Sequence, residues 1–571
     1  MEPLGGAWTD LLTLNGKANI RITSVPGVRI ELTGFDRAAQ GRRFPNVLNV
    51  TNCSNFTLEG AGSSTPLVFT TRATLLPASE GLPLLQGKVQ SVNVAQRTAL
   101  VSVTDPELFL PPNCFPTIWA WVLPDGRPGF HAMYDGKVRA IAPPSGGPTP
   151  VQQVEFTFAG SALDFQNWQS GHDVVAVLNQ SNTYALLAYD CSGTTTFRNL
   201  TAHHLPGKFL QTGRNDICNV ENVDLLPEKA ARLFSVGRDG INVEAKQSAI
   251  RDCTVAYCGD DAIVSNGSPW GRVAASAPTD PPLTFRVRSA STSSSYPPVV
   301  KVGSVVALID GSSLSPASVQ LAAITGVTWT SSVAPIEIRY AYAPASPALF
   351  AAALANPNTV VLDGAPSSAG AVIEDCSVKG VRGVGITTRG AFTRVSRCFV
   401  ADALVCGIHS GGGLVDAYPW FGAGAPALGL TIENCVIDRC GGVAPYLAIT
   451  GAIEIALAIG PDGLLPNCQY YIRPKYAPTP DVMQNVVLSR NVISRAPRAG
   501  LFAANVGGAS GGLQVFGNTF IDCGSEVSQC LPETNSAITI ENCGNGLVSA
   551  NTFLQCANKF TPVNSSGVIF Q

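Results

Sequence analysis

The sequence contains no apolar run of the roughly 18 residues that a bilayer-spanning helix requires. It also has no excess of one charge, with 37 basic and 40 acidic residues among 571. Its first residues, MEPLGGAWTDLL, carry neither a basic n-region nor an apolar h-region. We therefore expect no membrane span, no basic nucleic-acid surface and no signal peptide within this sequence.

The 16 cysteines show no CxxC pair and no cysteine–histidine cluster spaced for zinc, so we expect no metal and no cofactor. Two repeat positions instead predict ladders of small buried thiols. The first position holds Cys53, Cys253, Cys376, Cys398, Cys435 and Cys543, and the second holds Cys258 and Cys440. Cys523 and Cys530 fall outside that register and are predicted to form a disulfide.

A short period of apolar strands and small turn residues runs through most of the chain. From Cys376 to Cys398 the full repeat is 22 residues, and each marker precedes a strand residue by ten, as from Cys253 to Ile263. Helical periodicity is absent. This pattern predicts an all-β fold, a right-handed parallel β-helix (pectin-lyase-like solenoid), in which each coil buries its face only by stacking on the next.

The period is interrupted twice, which divides the chain into five segments. Residues 1–65 read as first coils without a cap, so we expect the chain to lack its natural start. Residues 66–188 and 268–367 read as two inserted antiparallel β-barrel-like subdomains. Residues 189–267 and 368–571 supply the remaining coils, where Asn491, Asn518 and Asn551 predict an internal amide ladder.

Three carboxylates coincide in this register. Asp239 precedes Ile241 as Asp261 precedes Ile263, so the two aspartates fall on neighbouring coils about 4.8 Å apart at the backbone. Asp260 lies beside them. Like charges in one place repel and raise at least one pKa, which glycoside hydrolysis exploits by pairing a protonated with an ionised carboxyl. Aspartate is also an ordinary residue of β-helix turns, where it bonds its own backbone.

The stretch R-D-G-I, followed by G-D-D-A-I, resembles the signature of the polygalacturonase-like β-helix glycoside hydrolases. Its context, RLFSVGRDGINVEAKQSAIRDCTVAYCGDDAIVSNG, is closer to the α-1,3-galactosidase branch, whose members remove terminal α-galactose. The resemblance implies an inverting mechanism without metal. It also implies that Asp260 is the general acid and that Asp239 and Asp261 activate water.

Two features of the polygalacturonase pattern are missing. No G-H-G follows the aspartate pair, the nearest counterpart being G-I-H-S-G with His409, and no Arg-x-Lys accompanies Arg382 or Arg389. These departures favour a neutral terminal sugar over a uronic acid.

Six residues are candidate substrate contacts, each with a structural alternative. Trp270 and Trp420 could stack on a sugar or pack in a core. Arg382 should reach the aspartates from the next coil, whereas a turn histidine is more often a capping or solvated residue. The six are Arg382, Trp270, Trp420, His409, His204 and Asn242.

The predicted function is removal of terminal α-linked galactose from oligo- or polysaccharides, with a carbohydrate substrate as the partner and no nucleic acid or membrane. The alternatives are a polygalacturonase-like hydrolase of another glycan and a catalytically inactive carbohydrate-binding β-helix. Seven N-x-S/T patterns, one at Asn266, favour a secreted glycoprotein, although composition alone would give about five.

Overall fold

The computed structural model describes residues 11–32, 46–71, 84–104, 118–123, 137–141, 153–157, 168–178, 184–205, 207–228, 232–266, 271–274, 280–289, 302–303, 305–310, 320–331, 337–344, 346–356, 359–363, 370–413, 429–441, 451–464, 472–476, 483–508, 511–525 and 535–571. Trp270, Trp420 and Cys530 lie outside them.

The first half of the chain contains coils of a β-helix, one insertion, and further coils. The first coils contain β1 (Leu12–Asn15), β2 (Ala18–Thr23), β3 (Arg29–Leu32), β4 (Leu48–Thr51), β5 (Ser54–Glu59) and β6 (Leu67–Thr71). The insertion contains β7 (Leu84–Asn93), β8 (Thr98–Val103), β9 (Ile118–Leu123), β10 (Lys137–Ile141), β11 (Gln153–Thr157) and β12 (Asp173–Leu178). The coils resume with β13 (Tyr184–Tyr189), β14 (Ser192–His203), β15 (Lys208–Gly213), β16 (Asn215–Leu225), β17 (Ile241–Arg251), β18 (Thr254–Ala256) and β19 (Ile263–Asn266).

The second half begins with another insertion and ends with coils. The insertion contains β20 (Gly271–Ala274), β21 (Thr284–Ser289), β22 (Val305–Asp310), β23 (Gln320–Ser331), β24 (Glu337–Pro344), α1 (Pro347–Ala355) and β25 (Thr359–Asp363). The coils contain β26 (Ala371–Glu374), β27 (Ser377–Val381), β28 (Val384–Arg389), β29 (Arg394–Ser396), β30 (Phe399–Ala403), β31 (Cys406–Gly413), β32 (Thr431–Glu433), β33 (Val436–Asp438), β34 (Gly451–Leu464), β35 (Ile472–Tyr476), β36 (Val486–Ser489), β37 (Val492–Ser494), β38 (Ala499–Ala504), β39 (Leu513–Phe516), β40 (Thr519–Ile521), β41 (Ile538–Glu541), β42 (Gly546–Ser549), β43 (Thr552–Leu554), β44 (Phe560–Val563) and β45 (Val568–Phe570).

The coils stack as a parallel β-helix, which confirms the predicted fold. Each coil contributes strands to three parallel ladders. The first ladder, which carries the candidate site, runs through β15, β17, β19, β28, β31, β34, β38, β41 and β44. Ile373 pairs with Val395, one 22-residue repeat later. Apolar side chains from all three ladders point inward and form one continuous core.

Tight turns separate many of the strands, and at these turns one residue adopts a left-handed conformation. Asp252, Asp375, Arg397 and Asn434 have φ between 52° and 56°. Aspartate and asparagine tolerate this region because their short polar side chains bond locally. The residue that follows points inward, where only a small side chain fits, and this constraint produces the cysteine ladder from Cys253 to Cys435.

The cysteines occupy three turn positions rather than two. Cys53 stacks against Cys191 at the turn that leaves the first ladder, so it does not belong with Cys253. Strand register aligns Cys440, Cys523 and Cys556 at another turn. Cys523 is a buried free thiol, so the predicted disulfide is wrong. The residue is instead part of a ladder of stacked thiols.

The predicted amide ladder is confirmed at the same turn position as Cys435. The Asn491 amide donates to the Asn518 side-chain oxygen at 2.9 Å, and the Asn518 amide donates to Asn551 at 3.0 Å. Asn491 in turn accepts from the backbone N–H of Cys435. The ladder therefore continues the cysteine stack with hydrogen-bonded amides.

The two insertions differ from each other in topology. β20, β21, β24, β23, β22 and β25 form a closed antiparallel barrel, whereas the first insertion is a six-stranded antiparallel sheet in the order β10-β11-β8-β7-β12-β9. β6 still pairs with β14, and β13 pairs with β4 and β15. The coils of the β-helix thus extend to Thr71 and resume at Tyr184, inside the segment predicted as insertion.

Among the described residues, none of the α-helical segments has the length and hydrophobicity of a membrane span.

Candidate functional site

The strand register brings the three aspartates together just before β17 and β19, two neighbouring strands of the first ladder. Ile241 pairs with Ile263, which places Asp239 and Asp261 at equivalent positions on neighbouring coils. The Gly240 N–H donates to the Asp261 carbonyl at 3.0 Å. A Cβ on Gly240 would lie 2.7 Å from the Ala262 carbonyl oxygen, so glycine allows the two coils to approach closely here.

Asp239 is nearly buried and held as a carboxylate. Its Oδ2 lies 2.6 Å from the Lys208 ammonium and accepts a 2.9 Å bond from the Asn242 amide. Burial raises the pKa of Asp239, but Lys208, Arg238 and the Asn242 bond outweigh it, so the net pKa is lowered. Both contacts fall on Oδ2, so Oδ1 is the oxygen that can face a substrate or water.

Asp260 lies between two guanidinium groups. Arg238 Nη2 is 3.4 Å from Oδ2 and Arg382 Nη2 is 3.2 Å from Oδ1. Arg382 is 5% exposed, and its Nε donates to the Gly259 carbonyl at 2.5 Å. That bond anchors the guanidinium, which reaches Asp260 from the next coil.

Asp261 receives only neutral hydrogen-bond donors among the described residues. The Val384 N–H donates to Oδ1 at 2.8 Å, and the Thr387 hydroxyl donates to Oδ2 at 3.4 Å. Burial and the charges of Asp260 and Asp239 raise the pKa of Asp261 to about 7, against weaker opposition from Val384 and Arg389. One carboxyl of the three is therefore suited to carry a proton near neutral pH.

This arrangement contains the components of general acid–base catalysis. Two carboxylates, Asp239 and Asp260, lie beside cations, and the pKa of the adjacent Asp261 is raised to about 7 by burial and by the charges of the other two. Such divergent environments are what allow chemically identical side chains to act as acid and base at one pH. Within the described ranges, no group of three or more histidine, cysteine, aspartate or glutamate side chains could hold a metal ion.

Asn242 contacts Asp239 and has little surface available for substrate. It is 8% exposed, and its Oδ1 accepts bonds from Gln211 Nε2 at 3.5 Å and Asn266 Nδ2 at 3.2 Å. Because Oδ1 takes these two donors, Nδ2 must point at Asp239. Asn242 is one of the predicted substrate contacts, and that contact stays a prediction; in the structure its amide donates to Asp239.

His204 lies in the packed interior beside Arg232. It is fully buried, with Nδ1 2.7 Å from Arg232 Nη1 and Nε2 accepting from the Glu228 N–H at 3.3 Å. It also has a left-handed φ of 53°. Both ring nitrogens have hydrogen-bond partners and the side chain is fully buried, so it has no surface with which to contact a substrate.

His409 lies on the first ladder, two coils beyond Asp261. It pairs with Thr387 on one side and with Glu454 on the other. Burial and the charge of Arg389 lower the pKa of His409 to about 3, so the ring is neutral. Its neighbour Glu454 is also buried, with 2% of its surface exposed.

Four residues of the site escaped the sequence analysis. Lys208 and Arg238 supply positive charge to Asp239 and Asp260, Thr387 contacts Asp261, and Arg389 donates to Asn266 at 3.2 Å. The ten-residue step that located the aspartates aligns Ile386 with Ile263 on the next coil. It could therefore have placed Thr387, the next residue, near Asp261. It gives no information on how far a lysine or arginine side chain reaches.

Comparisons with known proteins do not assign a family. No family profile and no curated protein matches the chain. Among solved structures, the catalytic unit of a thermostable GH87 α-1,3-glucanase from Streptomyces thermodiastaticus overlaps 85% of this chain and 97% of its own, with 11% identity and a TM-score of 0.29. The catalytic domain of a GH87 α-1,3-glucanase variant in complex with nigerose overlaps 86% and 100%, with 10% identity and a TM-score of 0.22. Overlap at this level assigns neither family nor activity.

Proposed function

We propose that this protein is an inverting glycoside hydrolase that removes terminal α-linked galactose from oligo- or polysaccharides. The observation that supports hydrolysis is the convergence of Asp239, Asp260 and Asp261, with cations on two of them and neutral donors on the third. The sugar and the inverting outcome rest on the resemblance of R-D-G-I and G-D-D-A-I to the α-1,3-galactosidase branch.

The contacts favour a division of roles that differs from the one the resemblance implies. The resemblance gives proton donation to Asp260. That carboxylate, however, lies 3.4 Å from the Arg238 guanidinium and 3.2 Å from the Arg382 guanidinium, whereas Asp261 has no cation in contact among the described residues. We infer that Asp261 gives its proton to the leaving oxygen and that Asp239, held by Lys208, activates the water.

Proton NMR during turnover tests the reaction. The protein is incubated with α-1,3-galactobiose, and polygalacturonate is placed in a parallel tube. We expect galactose to appear first as the β-anomer, because inversion places water on the face opposite the bond that breaks. Products from polygalacturonate alone would select the alternative hydrolase, and glycan binding without products in either tube would select a binding protein.

An activated substrate separates the acid from the bases. A 2,4-dinitrophenyl α-galactoside has a leaving group that needs no proton, so a variant lacking only the general acid keeps most of its activity toward it. We expect Asp261→Asn to retain hydrolysis of this compound and to lose hydrolysis of the disaccharide. Retention by Asp260→Asn instead would return proton donation to Asp260.

A further inference from the structure

A chain of directed hydrogen bonds leads from Arg389 to Asp239. Arg389 Nη1 donates to Asn266 Oδ1 at 3.2 Å, Asn266 Nδ2 donates to Asn242 Oδ1 at 3.2 Å, and Asn242 Nδ2 donates to Asp239 Oδ2 at 2.9 Å. The four residues belong to three successive coils, since Asn242 and Glu244 pair with β19 and Asn266 pairs with Arg389. Every bond points toward the carboxylate.

A second path closes on the same carboxylate oxygen. Lys208 Nζ contacts Asp239 Oδ2 and lies 3.4 Å from Gln211 Oε1, while Gln211 Nε2 donates to Asn242 Oδ1 at 3.5 Å. The ring through these four side chains admits one orientation of each amide, because an amide turned by 180° would place two donors or two acceptors face to face.

We propose that Asn266 and Arg389 are positioning residues for Asp239, acting through Asn242 to hold the carboxylate in the orientation that activates water. The cation at one end polarises each amide in sequence, which strengthens the bond that the next amide donates. Asn266 and Arg389 flank the barrel insertion in the sequence, and the bond between them joins the coils on either side of it. This inference rests on the proposed hydrolytic function of Asp239.

The chain of bonds also bears on the predicted glycosylation of Asn266. The Asn266 amide nitrogen donates to Asn242, and its oxygen accepts from Arg389. A glycan on that nitrogen would replace the donor and break the chain. We therefore expect the Asn266 amide to carry no glycan in the active protein.

Two substitutions at Asn266 separate donation from packing. Asn266→Asp keeps the size and can still accept from Arg389, but an ionised carboxylate cannot donate to Asn242. Asn266→Ala removes both bonds. We expect each to lower kcat at least about tenfold while KM stays within about threefold, since misorientation of a catalytic group affects the reaction more than binding. Asn222→Asp is the matched control, because Asn222 donates to Asn199 in a comparable amide pair on another ladder.

The pH profile gives a readout that a purely structural role would not change. The titratable and charged groups around Asp239 are Lys208, Arg238, Cys258, Asp260, Asp261 and Arg389. Without the Asn266 donor, the Asn242 amide is no longer held toward Asp239. A weakened hydrogen bond to the charged form raises a carboxyl pKa, so Asn266→Asp and Asn266→Ala should move the acidic limb of kcat/KM upward by about one unit. Wild-type kcat and an unchanged acidic limb in both variants would overturn the proposal.

Arg389 provides a test if the Asn266 variants fold poorly. Arg389→Met should reproduce the kcat loss, and Arg389→Lys, which retains a charged donor, should restore part of it. Equal activity of the two Arg389 variants would show that charge at this end plays no part.

A measurement without substrate distinguishes failure of this inference from failure of the proposed function. Carbon-13 NMR of labelled aspartate carboxyls, assigned by comparison with Asp239→Asn, reports the Asp239 pKa directly. We expect it to rise by about one unit in Asn266→Ala. A rise in a protein that hydrolyses no galactoside would uphold the hydrogen-bond chain and refute the proposed galactosidase, whereas an unchanged pKa would refute the chain.

Discussion

Asp261 and Asp239 should affect stability with opposite signs, although they occupy equivalent positions on neighbouring coils. Burial beside two other carboxylates raises the pKa of Asp261 from 3.8 to about 7. Such a rise corresponds to about 4 kcal/mol, and the partial exposure of this side chain reduces it to about 2–4 kcal/mol. Between pH 3.8 and about 7 the folded protein holds a proton on Asp261 that the unfolded chain has released. The free energy of unfolding therefore falls as pH rises through this range.

Asp261→Asn removes that cost and retains the size and shape of the side chain. The asparagine oxygen can still accept from the Val384 N–H, which bonds Asp261 at 2.8 Å. We expect the variant to exceed the wild type in free energy of unfolding by about 2–4 kcal/mol at pH 8 and by little at pH 4. Urea unfolding at both pH values, followed by circular dichroism, measures the difference.

Asp239→Asn is the matched comparison. Its lowered pKa means that the ionised form stabilises the fold above the unfolded pKa, and that this stabilisation is lost as pH falls through the folded value. Substitution leaves the Lys208 ammonium without its 2.6 Å partner, which should cost about 3–5 kcal/mol near pH 7. If Asp261→Asn gained no stability at pH 8 relative to pH 4, the environment deduced for Asp261 would be wrong.

Two further substitutions test the site through kinetics. Lys208→Met should raise the acidic limb of kcat/KM by about two pH units, because Asp239 loses its nearest cation. The control, Lys246→Met, removes an exposed lysine and should leave the acidic limb unchanged. Equal shifts in the two variants would refute the role of Lys208. Gly383→Ala would place a Cβ 2.3 Å from Asp261 Oδ1, and displacement of that carboxyl should lower kcat about 10- to 100-fold; wild-type kcat would show that the carboxyl need not move.

The repeat in the sequence was sufficient to predict the fold and the register of the aspartates. Inward positions of a stacked coil accept few residue types, so cysteines, asparagines and isoleucines recur with a measurable period. The boundaries of the first insertion were predicted less well, because β6 and β13 belong to the coils of the β-helix but their sequences lack that period. Cys523 was misassigned since its neighbours on adjacent coils, Ala496 and Cys556, are distant in sequence and only one of them is a cysteine.

The charges that distinguish the aspartates were not predictable in this way. Lys208 and Arg382 reach Asp239 and Asp260 from the preceding and following coils. Long side chains of this kind have many rotamers, and the direction that each takes depends on what covers the coil. A period in the sequence fixes where a Cα lies, whereas the end of a lysine or arginine lies several bonds further away.

Position in the stack, rather than residue type, therefore sets the chemistry of the site. Asp239 and Asp261 share one repeat position, yet the coil before Asp239 contributes Lys208, and the coil after Asp261 contributes the Val384 N–H and the Thr387 hydroxyl. The nearby cation Arg389 donates to Asn266 instead. A repeated fold can thus supply identical carboxyls to one place and obtain an acid and a base from them, because each coil has different neighbours above and below.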